Sequence, residues 1–514
     1  MEYKEKKKWT LMFFFASDNN LTSSMLYQLK AIKTAGYQLE TNVLVHFDPH
    51  ERGVPSMIFE VNKTEKAGQT ESKIGDDENP TVHDLFGDQI EPAITPGQTR
   101  RTYSADYDQR SAGQALTHFL EVSRKDYPAE KYMLFLVGHG LVVGGDAFLP
   151  DENPQSGISL VDLGRILRDF HDEIDKDGEV LELIGMHSCS MSAVEVAYQL
   201  KGWASYMLGS EGMSFVGAWP YRQMLQKIFY AIEQRKSGTI EVPELMKSLH
   251  ELCLHNSADL IFAGYSSDLC LVSLDPKRVE ALTGPIEKLT EALLAGLNDD
   301  RGKELILLAH WKSQSYYQEL YTDLFDFCLC LGESCSESDS NRVQKAMKLA
   351  CESVIEVLTP ETIGEKSVGP IVQADFCGPD CQYSYGLSIY FPWTRPYEDA
   401  REHVIRNYQS YAFVTSLCGA SWLKFLEAYF EKTMRPGREI VADNESADDV
   451  QETLRALRSG YIPIPVQSSS YETALTRSGK VSPADASGFY SYTFIKNYPR
   501  DLSMTARAMK VFRR

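Results

Sequence analysis

Four short runs of the chain are dominated by apolar residues: WTLMFFF at 9–15, TNVLVHF at 41–47, YMLFLV at 132–137 and VLELIGM at 180–186. None approaches the roughly 18–20 apolar residues that a membrane span needs. Such runs fit strands covered on both faces, and that covering comes from helices that cross over between parallel strands. The segments between them supply the helices. Leu21, Met25, Leu29 and Ile32 recur at helical spacing, Leu116, Phe119 and Leu120 share one face of 111–123, and 160–174 is amphipathic. Strands alternating with helices predict an α/β fold, a mainly parallel sheet flanked by helices. A fifth strand is expected at 206–210. Residues 56–61 (SMIFEV), after a turn at 48–54, read as an antiparallel edge strand.

At 514 residues the chain is longer than one core usually holds. We divide it into an α/β domain at 1–225, interrupted by a polar loop or insertion at 63–108, a helix-rich region at 226–431, and a polar extension at 432–514. The second region carries helical patterns at 222–256, 276–300, 303–332, 341–358 and 412–430, with strands expected at 270–274 and 386–391. We expect it to pack on the first domain. The charge sum of 52 basic and 72 acidic residues is −20, which disfavours a protein that tracks nucleic-acid phosphates. Lys4–Lys8 followed by the apolar run to Ser17 imitates a secretion signal. That run leads directly into Asp18-Asn19-Asn20-Leu21 and a helix, so a first core strand is expected instead. The expected location is cytoplasmic, with secretion the alternative. Ten scattered cysteines in a chain this long fit reduced thiols better than a disulfide scaffold. Cys377 and Cys381, with Cys328, Cys330 and Cys335, lack the paired spacing of structural zinc, so no metal site is expected.

In an open parallel sheet, sites form outside the C-terminal ends of the strands. Two neighbouring strand patterns end in reactive residues. His139 leaves the third between Gly138 and Gly140, and Cys189 leaves the fourth in His187-Ser188-Cys189. A helix expected over 191–200 would put the thiol at a helix N-terminus, where the dipole favours thiolate. An imidazole on the next strand could activate the thiol or protonate a leaving group. Backbone N–H groups near Gly140 and Cys189 would be placed for an oxyanion hole.

These segments resemble the clostripain-like cysteine peptidases. WTLMFFFASDNNL resembles their opening strand and Asp-Asn turn, YMLFLVGHG their histidine strand, and LELIGMHSCSMSAVEVAYQL their cysteine block, with Met191, Glu195, Ala197 and Tyr198 following Cys189. GAWPY near Trp219 and GLSIYFP at 386–392 also match that family's habits, so the likeness spans roughly 9–430. It implies a caspase- and legumain-like fold and a Cys189/His139 dyad that hydrolyses peptide bonds through a thioester. The partner is then a polypeptide substrate, with no nucleic acid or membrane. No cofactor is required, whereas calcium dependence and oligomeric state are not legible.

One departure bears on specificity. The family usually places an acidic residue two positions before the cysteine, in a pocket for Arg or Lys, and here His187 stands there. Residues i and i+2 of a strand face the same side, so His187 is expected to line the pocket. Glu211 is either the replacement charge or a solvated loop carboxylate. Strict Arg/Lys specificity is therefore not expected. Family members often cut themselves after the histidine strand, but the polar loop expected at 149–159 has no Lys or Arg. Self-cutting there is not expected if specificity is basic, and the chain is expected to work as a single chain or to mature by another route. Asp18 is expected to cap the helix near Leu21. A catalytically silent binding or regulatory module of the same fold is the alternative to the peptidase.

Overall fold

The computed structural model describes residues 6–36, 38–48, 56–61, 110–140, 148–152, 155–233, 242–261, 265–316, 319–335, 341–360, 368–393 and 407–433. The expected 63–108 insertion, the extension beyond residue 433 and most of the 48–54 turn lie outside the described residues.

In chain order the first half runs β1 (Lys7–Phe15), α1 (Thr22–Lys33), β2 (Thr41–Phe47), β3 (Met57–Glu60), α2 (Ala112–Asp126), β4 (Ala129–Val137), β5 (Phe148–Glu152), β6 (Gln155–Ile158), α3 (Leu160–Asp175), β7 (Val180–His187), α4 (Val194–Leu200) and β8 (Tyr206–Gly209). The second half runs α5 (Tyr221–Glu233), α6 (Val242–Ile261), β9 (Ser267–Ser273), α7 (Pro276–Glu280), α8 (Thr283–Gly296), α9 (Asp300–Lys312), β10 (Ser315–Tyr316), β11 (Tyr321–Asp323), α10 (Leu324–Ser334), α11 (Arg342–Leu358), β12 (Ile371–Cys377), β13 (Ser388–Tyr390), α12 (Ala412–Thr415) and α13 (Leu417–Thr433).

Eight strands form one sheet in the order β12-β9-β8-β7-β4-β1-β2-β3. The five central strands, β8 to β2, are parallel, β3 is antiparallel at one edge, and β9 and β12 are antiparallel at the other. This is the expected α/β arrangement. The two-residue period of a strand sends neighbouring side chains to opposite faces. Thus Trp9, Leu11, Phe13 and Phe15 of β1 join the core under α1, α5 and α6. Met12 and Phe14 join the other core, under α2, α3 and α4. Residues 132–137 of β4 divide in the same way. Helices α8–α11 and α13 extend the second core through Leu289, Phe327, Met347 and Trp422. Among the described residues no helix is long and apolar enough to cross a membrane.

Several expectations need correction. The strands β9 and β12 come from the second half and complete the sheet, so the sheet continues across the boundary at residue 225. β12 was not expected because only its first two residues are buried, as suits an edge strand. The 303–332 helix is broken at Ser313 by β10 and β11. Helix α10 restarts where the Asp323 carboxylate accepts the Asp326 N–H. The 222–256 helix is two helices, α5 and α6. The polar loop at 149–159 is largely the hairpin β5–β6. Leu149, Pro150 and Asp151 within it are buried.

Candidate active site

The ladder between β4 and β7 sets the site. Val137 pairs with His187 in parallel register, so His139 and Cys189 each stand two residues beyond the same rung. Neighbouring strands lie about 4.8 Å apart, which brings the two loops together at the C-terminal edge. Gly140 seals the contact. A Cβ there would sit 2.6 Å from the Ser188 Cβ, 3.0 Å from the Cys189 carbonyl oxygen and 3.2 Å from the Met191 sulfur. Only glycine lets the histidine loop close on the cysteine loop this tightly.

A third loop completes the edge. Between β1 and α1, the Asn19 amide donates to the Ala16 carbonyl at 3.1 Å and to the Pro150 carbonyl at 3.0 Å. The Leu149 N–H in turn donates to the His139 carbonyl at 2.9 Å. This clamp sets the next residue, Asn20, beside the histidine. Its Oδ1 lies 2.7 Å from His139 Nε2. An amide oxygen only accepts, so Nε2 carries the ring proton and Nδ1 is left as the basic nitrogen. Burial lowers the His139 pKa to about 4. Asn20 was part of the sequence motif but had been given no role. The signal was its place just past the end of a central strand. Asp18 does not cap α1. The N-cap position is Leu21, without a side-chain cap bond, and the Leu21 N–H is instead met by Asn19 Oδ1 at 2.9 Å.

Cys189 is half-buried and unpaired with any other cysteine. It is not at a helix N-terminus. Helix α4 starts at Val194, because the intervening backbone is committed to the loop after β8. Ser190, at φ 55°, donates its N–H to the Gly212 carbonyl, and Ser192 donates to the Ser210 carbonyl, each at 2.9 Å. The dipole argument for a thiolate therefore fails, and burial raises the thiol pKa. The counteracting donors are the Ser214 N–H, 3.4 Å from Sγ, and the Cys189 backbone itself. Sequence reasoning missed Ser214, since only the tertiary fold carries a loop 25 residues away to the thiol.

His187 is 2 % exposed. Its ring stacks on Trp219, with centroids 4.6 Å apart and planes 6° apart. Nε2 donates to the Phe215 carbonyl at 2.8 Å, so Nδ1 accepts the Tyr221 hydroxyl proton at 2.7 Å. Burial holds it neutral, with a pKa of about 4. Both nitrogens face protein, so His187 braces the 214–219 segment from beneath. Glu211 is fully buried, so it is not a solvated loop carboxylate. It accepts the Gly386 N–H at 2.8 Å and the Tyr316 hydroxyl at 3.3 Å. Burial and the Asp323 and Asp268 carboxylates push its pKa well up. The structure thus presses the His139–Gly140 loop against the Ser188–Cys189 loop at Gly140, with His187 beneath the 214–219 segment and Glu211 buried at the start of the 211–219 loop. Among the described residues, no group of three or more His, Cys, Asp or Glu side chains could hold a metal ion.

The sequence description of the clostripain family matches residues 13–429, a span that includes every residue of this edge. The chain belongs to the clostripain family. This clostripain-family chain is therefore a cysteine protease, a hydrolase. It is similar to clostripain of Hathewaya histolytica, 22% identical over 409 residues, which cover 69% of this chain and 71% of that protein. Two solved structures are also similar to it. One is a secreted C11 cysteine protease from Bacteroides thetaiotaomicron in complex with an irreversible peptide inhibitor (TM-score 0.48, 14% identity, 81% of this chain and 99% of that one). The other is an inactive zymogen C11 protease from Parabacteroides distasonis (TM-score 0.43, 16% identity, 84% of this chain and 99% of that one).

Proposed function

We propose that this clostripain-family protease is an endopeptidase in which Cys189 is the nucleophile and His139 the general base and acid. The observation that carries this is the shared rung. Both residues stand two positions past the Val137–His187 pair, with Gly140 pressed against the Cys189 backbone. Burial acts on the two groups in opposite senses, raising the thiol and lowering the imidazole. The resting pair is therefore neutral thiol and neutral imidazole rather than an ion pair. As Sγ attacks the scissile carbonyl, its proton passes to His139 Nδ1. The imidazolium then protonates the departing amine, leaving a thioester on Cys189. Water attacks the thioester with His139 as base, which releases the acid and restores the thiol. The backbone N–H groups of Gly140 and Cys189 are the proposed donors to the oxyanion.

The test is hydrolysis of a fluorogenic peptide library by the wild type, Cys189→Ala and His139→Ala. Cys189→Ala is expected to abolish turnover, and His139→Ala to lower kcat by about 10²–10⁴-fold. Turnover that survives Cys189→Ala overturns the assignment. No peptide turnover together with alkylation of Cys189 no faster than that of the other cysteines would favour a silent binding module.

A further inference from the structure

The loop that touches the thiol also determines what lies beside it in the substrate. The Ser214 N–H is 3.4 Å from Sγ. A thioester on Cys189 would therefore lie next to the segment that starts at Ser214. No residue from Gly212 to Pro220 is ionisable. Phe215 and Tyr265 are both half-buried, their rings tilted at 51° with centroids 5.0 Å apart. Tyr265 reaches this edge because β9 runs antiparallel to β8, with Gly209 opposite Cys270. Residues before Ser267 thus extend past the end of β8.

The backbone carbonyls of residues 215–218 are already engaged. The Phe215 carbonyl accepts from His187 at 2.8 Å and the Val216 carbonyl from Gln28 at 2.7 Å. The Gly217 and Ala218 carbonyls both accept from Asn256 at 2.9 Å. The carboxylates closest in sequence or contact face inward. Glu211 is bound to Gly386 and Tyr316. Asp268, 2 % exposed, takes the N–H groups of Glu211 and Gly212 at 2.6 and 2.9 Å. Against these described residues a guanidinium or ammonium would lose its water without gaining a carboxylate, which is costly. An apolar side chain would gain from the same walls.

Resting on the peptidase reading above, we infer that the substrate residue preceding the cleaved bond is uncharged and apolar, packed against Phe215 and Tyr265, rather than arginine or lysine. The net charge of −20 attracts basic peptides from a distance, but screening over about 8–10 Å limits that to encounter. The contacts at Phe215 decide which peptide is cut.

The test compares peptides identical except at this position, carrying Leu, Phe or Met against Lys or Arg. The wild type is expected to favour the apolar set by about tenfold or more in kcat/KM, the scale of one apolar contact in a pocket. Phe215→Ala is expected to shrink that ratio about fivefold or more, and an unchanged ratio overturns the role of Phe215. Cys189-dependent cleavage that favours Lys or Arg overturns the inference and leaves the peptidase standing. If no peptide is turned over, acyloxymethyl ketone peptides with Leu or Lys at this position separate the two ideas by intact mass. Faster capture of Cys189 by the Leu probe supports the inference, and faster capture by the Lys probe overturns it. Capture by neither overturns both inference and peptidase.

Discussion

Burial places the working proton of the proposed dyad on sulfur until substrate arrives. The thiol is raised and His139 is lowered to about 4, so charge appears on the imidazole only during reaction. At that moment the bond from Nε2–H to Asn20 Oδ1, 2.7 Å long, changes from neutral to charge-assisted and strengthens. An interaction that is stronger in the transition state than in the ground state acts on kcat, not on KM. Asn20→Ala is therefore expected to lower kcat about 10–100-fold, the equivalent of about 1.5–3 kcal/mol for a hydrogen bond to a charged group, with KM nearly unchanged. Asn20→Asp would stabilise the imidazolium and move the acid limb of kcat/KM to higher pH. The wild-type limb follows the same logic. His139 acts as base only when neutral, and a pKa near 4 keeps it neutral above that value. The acid limb should therefore lie below pH 6. A limb at the unperturbed imidazole value of about 6.5, or a rise in KM with constant kcat in Asn20→Ala, would contradict this account.

At the scale of elements, the hairpin β5–β6 holds the histidine loop and also bears on maturation. Leu149 donates its N–H to the His139 carbonyl, and the Pro150 carbonyl accepts from Asn19. To be cut, a segment must enter a protease cleft extended, and this one would first leave its ladder and its buried contacts. Incubated wild type is expected to show no cut within 148–158 on a gel beside Cys189→Ala. A wild-type-only fragment with its new end in that span would refute this. The hairpin also marks where the sequence was opaque. Continuous runs such as FFF at 13–15 announce strands buried on both faces, and the loop ends bearing His139 and Cys189 follow from them. The hairpin reads as polar loop because its burial comes from tertiary contacts with Asn19 and His139. In the same way, the break at Ser313 and the late start of α4 depend on partners distant in sequence. The Cys189 environment was misjudged for that reason. The Asn20 and Ser214 contacts depend on loops that meet only at the sheet edge.

For the whole molecule, a buried cluster of acids joins the two halves behind the active-site loop. Glu211 follows β8, Asp268 begins β9 and Asp323 ends β11, and all three are nearly or fully buried. The Asp323 carboxylate also takes the Tyr385 N–H at 2.5 Å and the Asp326 N–H at 2.7 Å. Burial and neighbouring carboxylates raise Asp323 to about 8 and push Glu211 well up, and burial raises Asp268 to about 6. Buried against Tyr390 and Tyr408, Glu195 is raised to about 7. The sign of the stability effect follows from proton counting. An unfolded carboxyl loses its proton near pH 4, whereas these folded ones keep it to higher pH. The folded state therefore binds more protons in that interval, and stability declines as pH rises through it. Buried neutral histidines oppose this on the acid side. His46 falls to about 3 and His187 to about 4, so they cost stability as pH falls from about 6.5, the unfolded value. Between pH 4 and 6.5 the two groups partly cancel. Above 6.5 the histidines are neutral in both states and the acids contribute, joined towards pH 8.5 by cysteines whose thiols burial raises. Tm is therefore expected to fall from pH 6.5 to 8.5. Asp323→Asn and Glu211→Gln, which keep hydrogen-bonding groups without the charge, should flatten that slope. A Tm that climbs steadily from pH 6.5 to 8.5, or a slope untouched by both substitutions, would show that these carboxyls are not held protonated in the folded chain.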